Sequence, residues 1–155
     1  MANGKRTTSD RAVIRSLARG VVGAMAMTGV RRVTTGVGLV EKPPPERIAH
    51  EGFPDLLALV PDDYCDEAIE VAHWAYGAVA GAAFGAIPAR VRRRVWSGPV
   101  YGLAIWAVFE AGVVPVVFGR GESRRRPIRE RLTIAADHVL YGLVLAARHR
   151  ADSVP

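Results

Sequence analysis

The sequence predicts an all-α fold: an integral membrane bundle of four transmembrane helices, with a short interfacial helix in the first loop. Three observations carry that expectation. Half of the residues are hydrophobic, and charge is confined to the ends and to the segments between apolar runs, a segregation typical of membrane spans rather than of amphipathic soluble helices. The apolar runs, about 12–30, 67–89, 95–118 and 132–147, are long enough to cross or nearly cross a bilayer. Glycines recur at four-residue spacing, Gly77, Gly81 and Gly85 in the second run and Gly98 and Gly102 in the third. Such small-xxx-small faces let helices pack closely where lipid supplies no hydrophobic force between them.

Residues 1–10 are polar and are expected to form a disordered tail, with Ser9 or Asp10 as N-cap of a single transmembrane domain over 11–148. Arg11, Arg15 and Arg19 snorkel toward one surface from the first span, leaving Gly20 to Val30 as its uninterrupted core. The basic start and Ala24-Met25-Ala26 imitate a signal peptide, but Arg31-Arg32 follow at once, and we expect an anchored first helix. After Pro43-Pro44-Pro45, a segment with Phe53, Leu56, Leu57, Leu59 and Val60 on its apolar side suits the membrane interface.

Asp62, Asp63, Asp66 and Glu67 open the second span, where a helix N-terminus favours negative charge. Pro88 and the arginines from Arg90 to Arg94 close it. The third span carries Trp96 and Tyr101 near one interface, Trp106 deeper, Glu110 inside and Pro115 near its end. A basic loop with Arg124, Arg125 and Arg126 leads to the fourth span, which is short for a full crossing and must borrow a turn at either end or thin the bilayer. Residues 149–155 are a polar tail.

Lysines and arginines divide almost evenly between the two sides of such a bundle, so the positive-inside rule does not orient it. The acidic first connection favours the outside only weakly. A re-entrant third segment, which would gather both arginine loops on one side, stays open.

Alternating spans make the second and fourth helices parallel, which sets His73 and His138 at similar depth. Glu110 lies two turns before Phe118, roughly 12 Å by helical rise, in the same half of the bilayer. Thr28, His73, Tyr76, Glu110, His138 and Tyr141 are therefore expected to form an intramembrane polar cluster, because ionisable groups at that depth must face inward and pair. Three roles are open to it: a network that fixes helix register, a proton or solute pathway, and a metal site of His73, Glu110 and His138. Glu70-x-x-His73 matches half of the repeated pair used by di-iron bundles, and the second copy is missing.

No catalytic set or cofactor motif emerges. Asp137 and His138 are adjacent, hence about 100° apart on a helix, and cannot form a triad pair. His50-Glu51 lacks the second histidine of a zinc protease, and no glycine loop has phosphate-binding spacing. The single cysteine, Cys65, permits no internal disulfide and matches no zinc spacing. The net charge of +6 is mostly arginine at helix ends, the ordinary anchoring signal of membrane helices. Arg92, Arg93, Arg94, Arg124, Arg125 and Arg126 are candidates for anionic lipid headgroups, and nucleic acid is the less favoured partner.

The order Met27-Thr28, Pro44-Pro45-Glu46, His73-x-x-Tyr76-Gly77, Gly98-x-x-Tyr101-Gly102 with Trp106, Pro115-x-x-Phe118-Gly119 and His138-x-x-Tyr141-Gly142 resembles the YagU-like bacterial inner-membrane proteins over Gly20 to Ala147. The resemblance implies a multi-pass protein of the bacterial cytoplasmic (inner) membrane, in a family of largely unassigned function, and lends no catalytic residues. The arginine-rich third loop departs from that pattern. The expected role is a non-enzymatic structural or accessory subunit of a membrane assembly, with a homo-oligomer or a membrane-complex partner. The alternatives are a proton-linked carrier or channel, and a soluble basic helical protein that binds nucleic acid.

Overall fold

Long apolar runs bounded by proline and glycine favour long helices, since each backbone amide then finds its partner within its own segment. The computed structural model describes residues 2–40, 43–119 and 126–147, and among them it is all-α with no strand. α1 spans Ala2–Gly36. It begins ahead of the expected cap at Ser9 or Asp10, so Ala2 to Asp10 continue the helix where a disordered tail is predicted, and it runs past Val30. Its end is a Schellman closure: Gly38 takes a φ of +72°, Leu39 N–H donates to the Thr34 carbonyl at 2.8 Å and Gly38 N–H to the Thr35 carbonyl at 3.0 Å.

The first connection holds α2 (Pro44–Arg47), which runs into a π-helical turn at Ile48–Gly52, and then α3 (Pro54–Leu57). The predicted single interfacial helix is thus broken in two at Pro54, which has no N–H to donate. A 3₁₀ turn at Asp62–Tyr64 leads into α4 (Cys65–Ala86), and α5 (Ala89–Arg92) follows Pro88. α6 (Ser97–Val108) passes through a π turn at Phe109–Val113 into α7 (Val114–Val117). Pro115 sits just beyond that turn, where its missing donor is accommodated by the locally widened helix. α8 (Ile128–Ala146) starts after Pro127, a turn before the predicted Leu132, and so gains the length the apolar run alone lacks.

Two stretches, Asp10–Gly36 and Ser97–Val117, are long and apolar enough to cross a membrane by length and composition. The sequence predicts four. α4 and α8 are helices of 22 and 19 residues, but charged groups enter their first turns, among them Asp66, Glu67 and Glu70 in α4 and Arg129, Glu130 and Arg131 in α8.

Glycine governs how the four long segments meet. A Cβ on Gly20 would fall on the Gly77 carbonyl oxygen, one on Gly81 would strike the Ser16 carbonyl, and one on Gly85 would lie 2.7 Å from Val13 Cα, so α1 and α4 run antiparallel, backbone against backbone. A Cβ on Gly98 or Gly102 would strike the carbonyl of Gly142 or His138, which pairs α6 with α8 in the same antiparallel sense. Gly23 packs under the Tyr141 ring and joins α8 to α1. These contacts make α4 and α8 parallel to each other. Between them lie Met27, Phe84, Tyr141 and Leu145, with the Phe84 and Tyr101 rings tilted at 56° and centred 5.1 Å apart. Two tyrosines tie helix to helix: Tyr141 donates to the Gly77 carbonyl at 2.5 Å and Tyr101 to the Ala80 carbonyl at 2.7 Å.

The outside of the bundle is apolar along its middle. Val22, Val79, Val108 and Leu143 are each more than half exposed, and alanines 72, 75, 83 and 86 on α4, 104 and 107 on α6 and 111 in the π turn continue that surface. At one end, Arg92 donates to the Gly85 carbonyl and Arg19 to the Leu145 carbonyl at 3.4 Å. These cations satisfy carbonyls in the last turns of α4 and α8. Burial, with the charges of Arg93, Arg15 and Arg19, holds the Arg92 guanidinium below its ordinary pKa.

Candidate functional site: a cavity between the bundle and its first loop

At the other end of the bundle the glycine contacts stop and the helices diverge. α1 there carries Met27 and Arg31 in place of Gly20, and α4 carries Ile69 and His73 in place of Gly77 and Gly81. The space that opens is a cavity of about 430 Å³, whose floor comes from α1, α4, the π turn after α6, and α8, and whose cover is the first connection. Pro44, Pro45, Ile48, Ala49, Phe53, Leu56, Leu57 and Val60 form the cover. The predicted interfacial segment therefore packs part of its apolar side over the cavity, while Phe53, Leu56 and Leu59 stay more than half exposed. The volume lies within the roughly 300–1,000 Å³ range of small-molecule pockets, and an apolar lining with a few convergent polar groups is the usual character of such sites.

Besides Tyr76, four residues with charged or imidazole side chains reach this lining among the described residues: Arg31, His73, Asp137 and His138. Arg31 is committed elsewhere, because its guanidinium donates to Glu70 Oε1 at 2.7 Å. The Thr28 hydroxyl donates to Glu70 Oε2 at 2.7 Å and accepts from Trp74 Nε1 at 3.2 Å, which completes a network across the α1–α4 interface. His138 Nδ1 lies 2.8 Å from the Ile134 carbonyl. When that nitrogen carries the ring proton of a neutral imidazole, Nε2 is left as an acceptor. His73 Nε2 is buried without a hydrogen-bond partner among the described residues. Asp137 is 8% exposed. Beyond the two histidines a void of about 20 Å³ continues toward Tyr141, roomy enough by volume for one water.

Glu110 belongs to a different set. It is buried at the π turn, with Arg131 at 3.6 Å and Arg126 at 3.9 Å, and Arg126 also lies 3.9 Å from Glu130. The expected cluster of six is thus distributed. Thr28 serves Glu70, His73 and His138 share the cavity with Tyr76 at its side, Tyr141 is bonded to Gly77, and Glu110 is held by arginines. Among the described residues no three His, Cys, Asp or Glu side chains are grouped as a metal ion requires. The metal set of His73, Glu110 and His138 is therefore not assembled, because the arginines that open α8 draw the Glu110 carboxylate to themselves. Glu70 in the Glu70-x-x-His73 pair is likewise taken by Arg31 and Thr28.

Among the arginines expected to meet lipid headgroups, Arg126 is 7% exposed and faces Glu110 and Glu130 rather than the surface. Arg93 and Arg94 are exposed and Arg92 partly so; Arg124 and Arg125 lie outside the described residues. Sequence reasoning passed over two members of the site. Asp137 enters the sequence reading only beside His138, and Arg31 only as a flank of the first span; an acidic residue inside an apolar run is the available signal for the first. No family model matches the chain, and comparisons with curated proteins and with solved structures find no match.

Proposed function

We propose that the chain is a multi-pass protein of a bacterial cytoplasmic (inner) membrane whose four long helical segments all cross or enter the bilayer, and that it serves as a non-enzymatic structural or accessory subunit. One observation carries this reading: the outside of the bundle is apolar along its middle, while charged side chains are buried inside it. Val79 and Val108 are 70% and 67% exposed while Arg31, Glu110 and Asp137 are each under a tenth exposed, an arrangement that lipid favours. The order of short motifs that resembles the YagU-like proteins supports the same location. The outward alanines of α4 and α6 supply the close-approach faces that a neighbouring subunit or a second copy would use. Alkaline carbonate washing of membranes after expression tests the reading: the chain is expected to stay with the bilayer until detergent is added, and release by carbonate alone removes it.

A proton-linked carrier is the second reading, favoured by the two histidines that border both the cavity and the smaller void beneath it. In liposomes, proton flux abolished by His73→Ala would support it. Absence of flux in the parent protein would end it.

A further inference from the structure

We propose that the cavity under the first connection binds a lipophilic amine, its apolar body against Ile48, Phe53, Leu57 and Val113 and its ammonium group at Asp137. The choice of head group follows from which polar groups are already engaged. Among the described residues that line the cavity Arg31 is the only lysine or arginine, and its hydrogen bond to Glu70 at 2.7 Å compensates its charge. Among the described residues Asp137, which lines that 430 Å³ space, makes no hydrogen bond or ion pair. A carboxylate only 8% exposed and facing a cavity is costly to leave unpaired, so a ligand that supplies the missing donor gains a charge-assisted hydrogen bond.

The neighbouring groups select the same chemistry. His138 Nε2 has acceptor capacity, because Nδ1 faces the Ile134 carbonyl at 2.8 Å, and His138 lines the same cavity. A primary ammonium offers three donors and one positive charge to a cavity lined by one carboxylate and the His138 imidazole. A carboxylate or phosphate head would meet Asp137 as a like charge, with Arg31 already ion-paired to Glu70. An alcohol would satisfy one acceptor and leave the charge uncompensated. The apolar cover then removes the rest of the molecule from water or lipid without asking for further polar contacts.

The test uses the full chain in nanodiscs and three photoreactive probes of equal chain length, each with a diazirine at the chain end and an amine, a carboxylate or a hydroxyl as head. The amine probe is expected to label the 48–60 and 134–138 segments saturably and to be displaced by unlabelled dodecylamine. Asp137→Asn should weaken that displacement by about tenfold or more, the loss of a hydrogen bond to a charged group. Ala49→Phe, which fills the cavity from the loop side and leaves Asp137 in place, should remove saturable labelling; it decides the matter where Asp137→Asn does not fold. Equal displacement by dodecanoate, unchanged displacement in folded Asp137→Asn, saturable labelling retained in Ala49→Phe, or labelling spread without saturation over the outer helix faces each overturns the proposal.

Discussion

Arg31 on α1 and Glu70 on α4 meet at 2.7 Å where the two helices begin to part, and the Thr28 hydroxyl holds the second oxygen of the same carboxylate. A buried ion pair contributes less than its geometry suggests, but half of one is costly. Glu70→Gln is therefore expected to lower the unfolding free energy in detergent by about 3–5 kcal/mol, and the double change Arg31→Met with Glu70→Leu to lower it much less. A double-mutant cycle by denaturant titration gives the coupling, and additive losses would show that the pair is not a unit.

The glycine contacts predict opposite effects for one substitution at different positions. Gly20→Ala and Gly102→Ala place a methyl on a backbone carbonyl of the neighbouring helix, which cannot move aside as a side chain could. Each should cost about 1–3 kcal/mol or more. Gly29→Ala meets nothing within 4 Å on an exposed helical face and should stabilise by about 1 kcal/mol through helix propensity. Melting temperatures of the three variants provide the comparison.

Tyr141→Phe deletes the hydroxyl that donates to Gly77 while keeping the ring against Gly23. The expected loss is about 0.5–1.5 kcal/mol with no change in fold. Tyr101→Phe, which loses the bond to Ala80 at 2.7 Å, should behave alike. Far-ultraviolet circular dichroism with thermal melting reads both.

Glu110 is the shared anion for Arg126 and Arg131. Glu110→Gln leaves those guanidinium groups without it and should destabilise by about 3 kcal/mol or more, with partial recovery on adding Arg126→Gln. Limited proteolysis at the start of α8 should accelerate in Glu110→Gln and slow again in the double variant.

The four-span reading fixes which positions share a side. In a background where the native Cys65 is replaced by serine, Arg129→Cys should react with an impermeant maleimide from the same side as native Cys65 does in the parent, and Ala89→Cys from the opposite side. Labelling of Ala89→Cys and Arg129→Cys from one side would favour the re-entrant third segment instead.

How much of this was legible depends on the range over which each feature is encoded. Gly77, Gly81 and Gly85 were readable because four-residue spacing puts them on one face, and the helix ends at Pro88 and Pro127 because proline constrains its own backbone. The partner of Glu110 was not readable: Arg126 comes from a loop whose course no local pattern sets. Arg31 looked like a boundary residue because arginine ordinarily ends an apolar run, but Glu70 on the next long helix takes its charge and α1 continues to Gly36. The apolar side of the 44–60 connection was visible, while the surface that it covers depends on where the four long segments diverge. Asp137 shows the same limit, since its surroundings come from α1, α4 and the connection together.

The two ends of the bundle differ in how they can accommodate change. Where Gly20 meets Gly77 there is no side chain to shorten, lengthen or rotate, so that end has a fixed gauge. Over the cavity the wall is a set of separate side chains on two short helices, each replaceable without altering the frame. New ligand preference in such a protein would therefore arise by substitution along 44–60 at little cost to folding, whereas the same number of changes along the glycine faces would dismantle the molecule before altering what it holds.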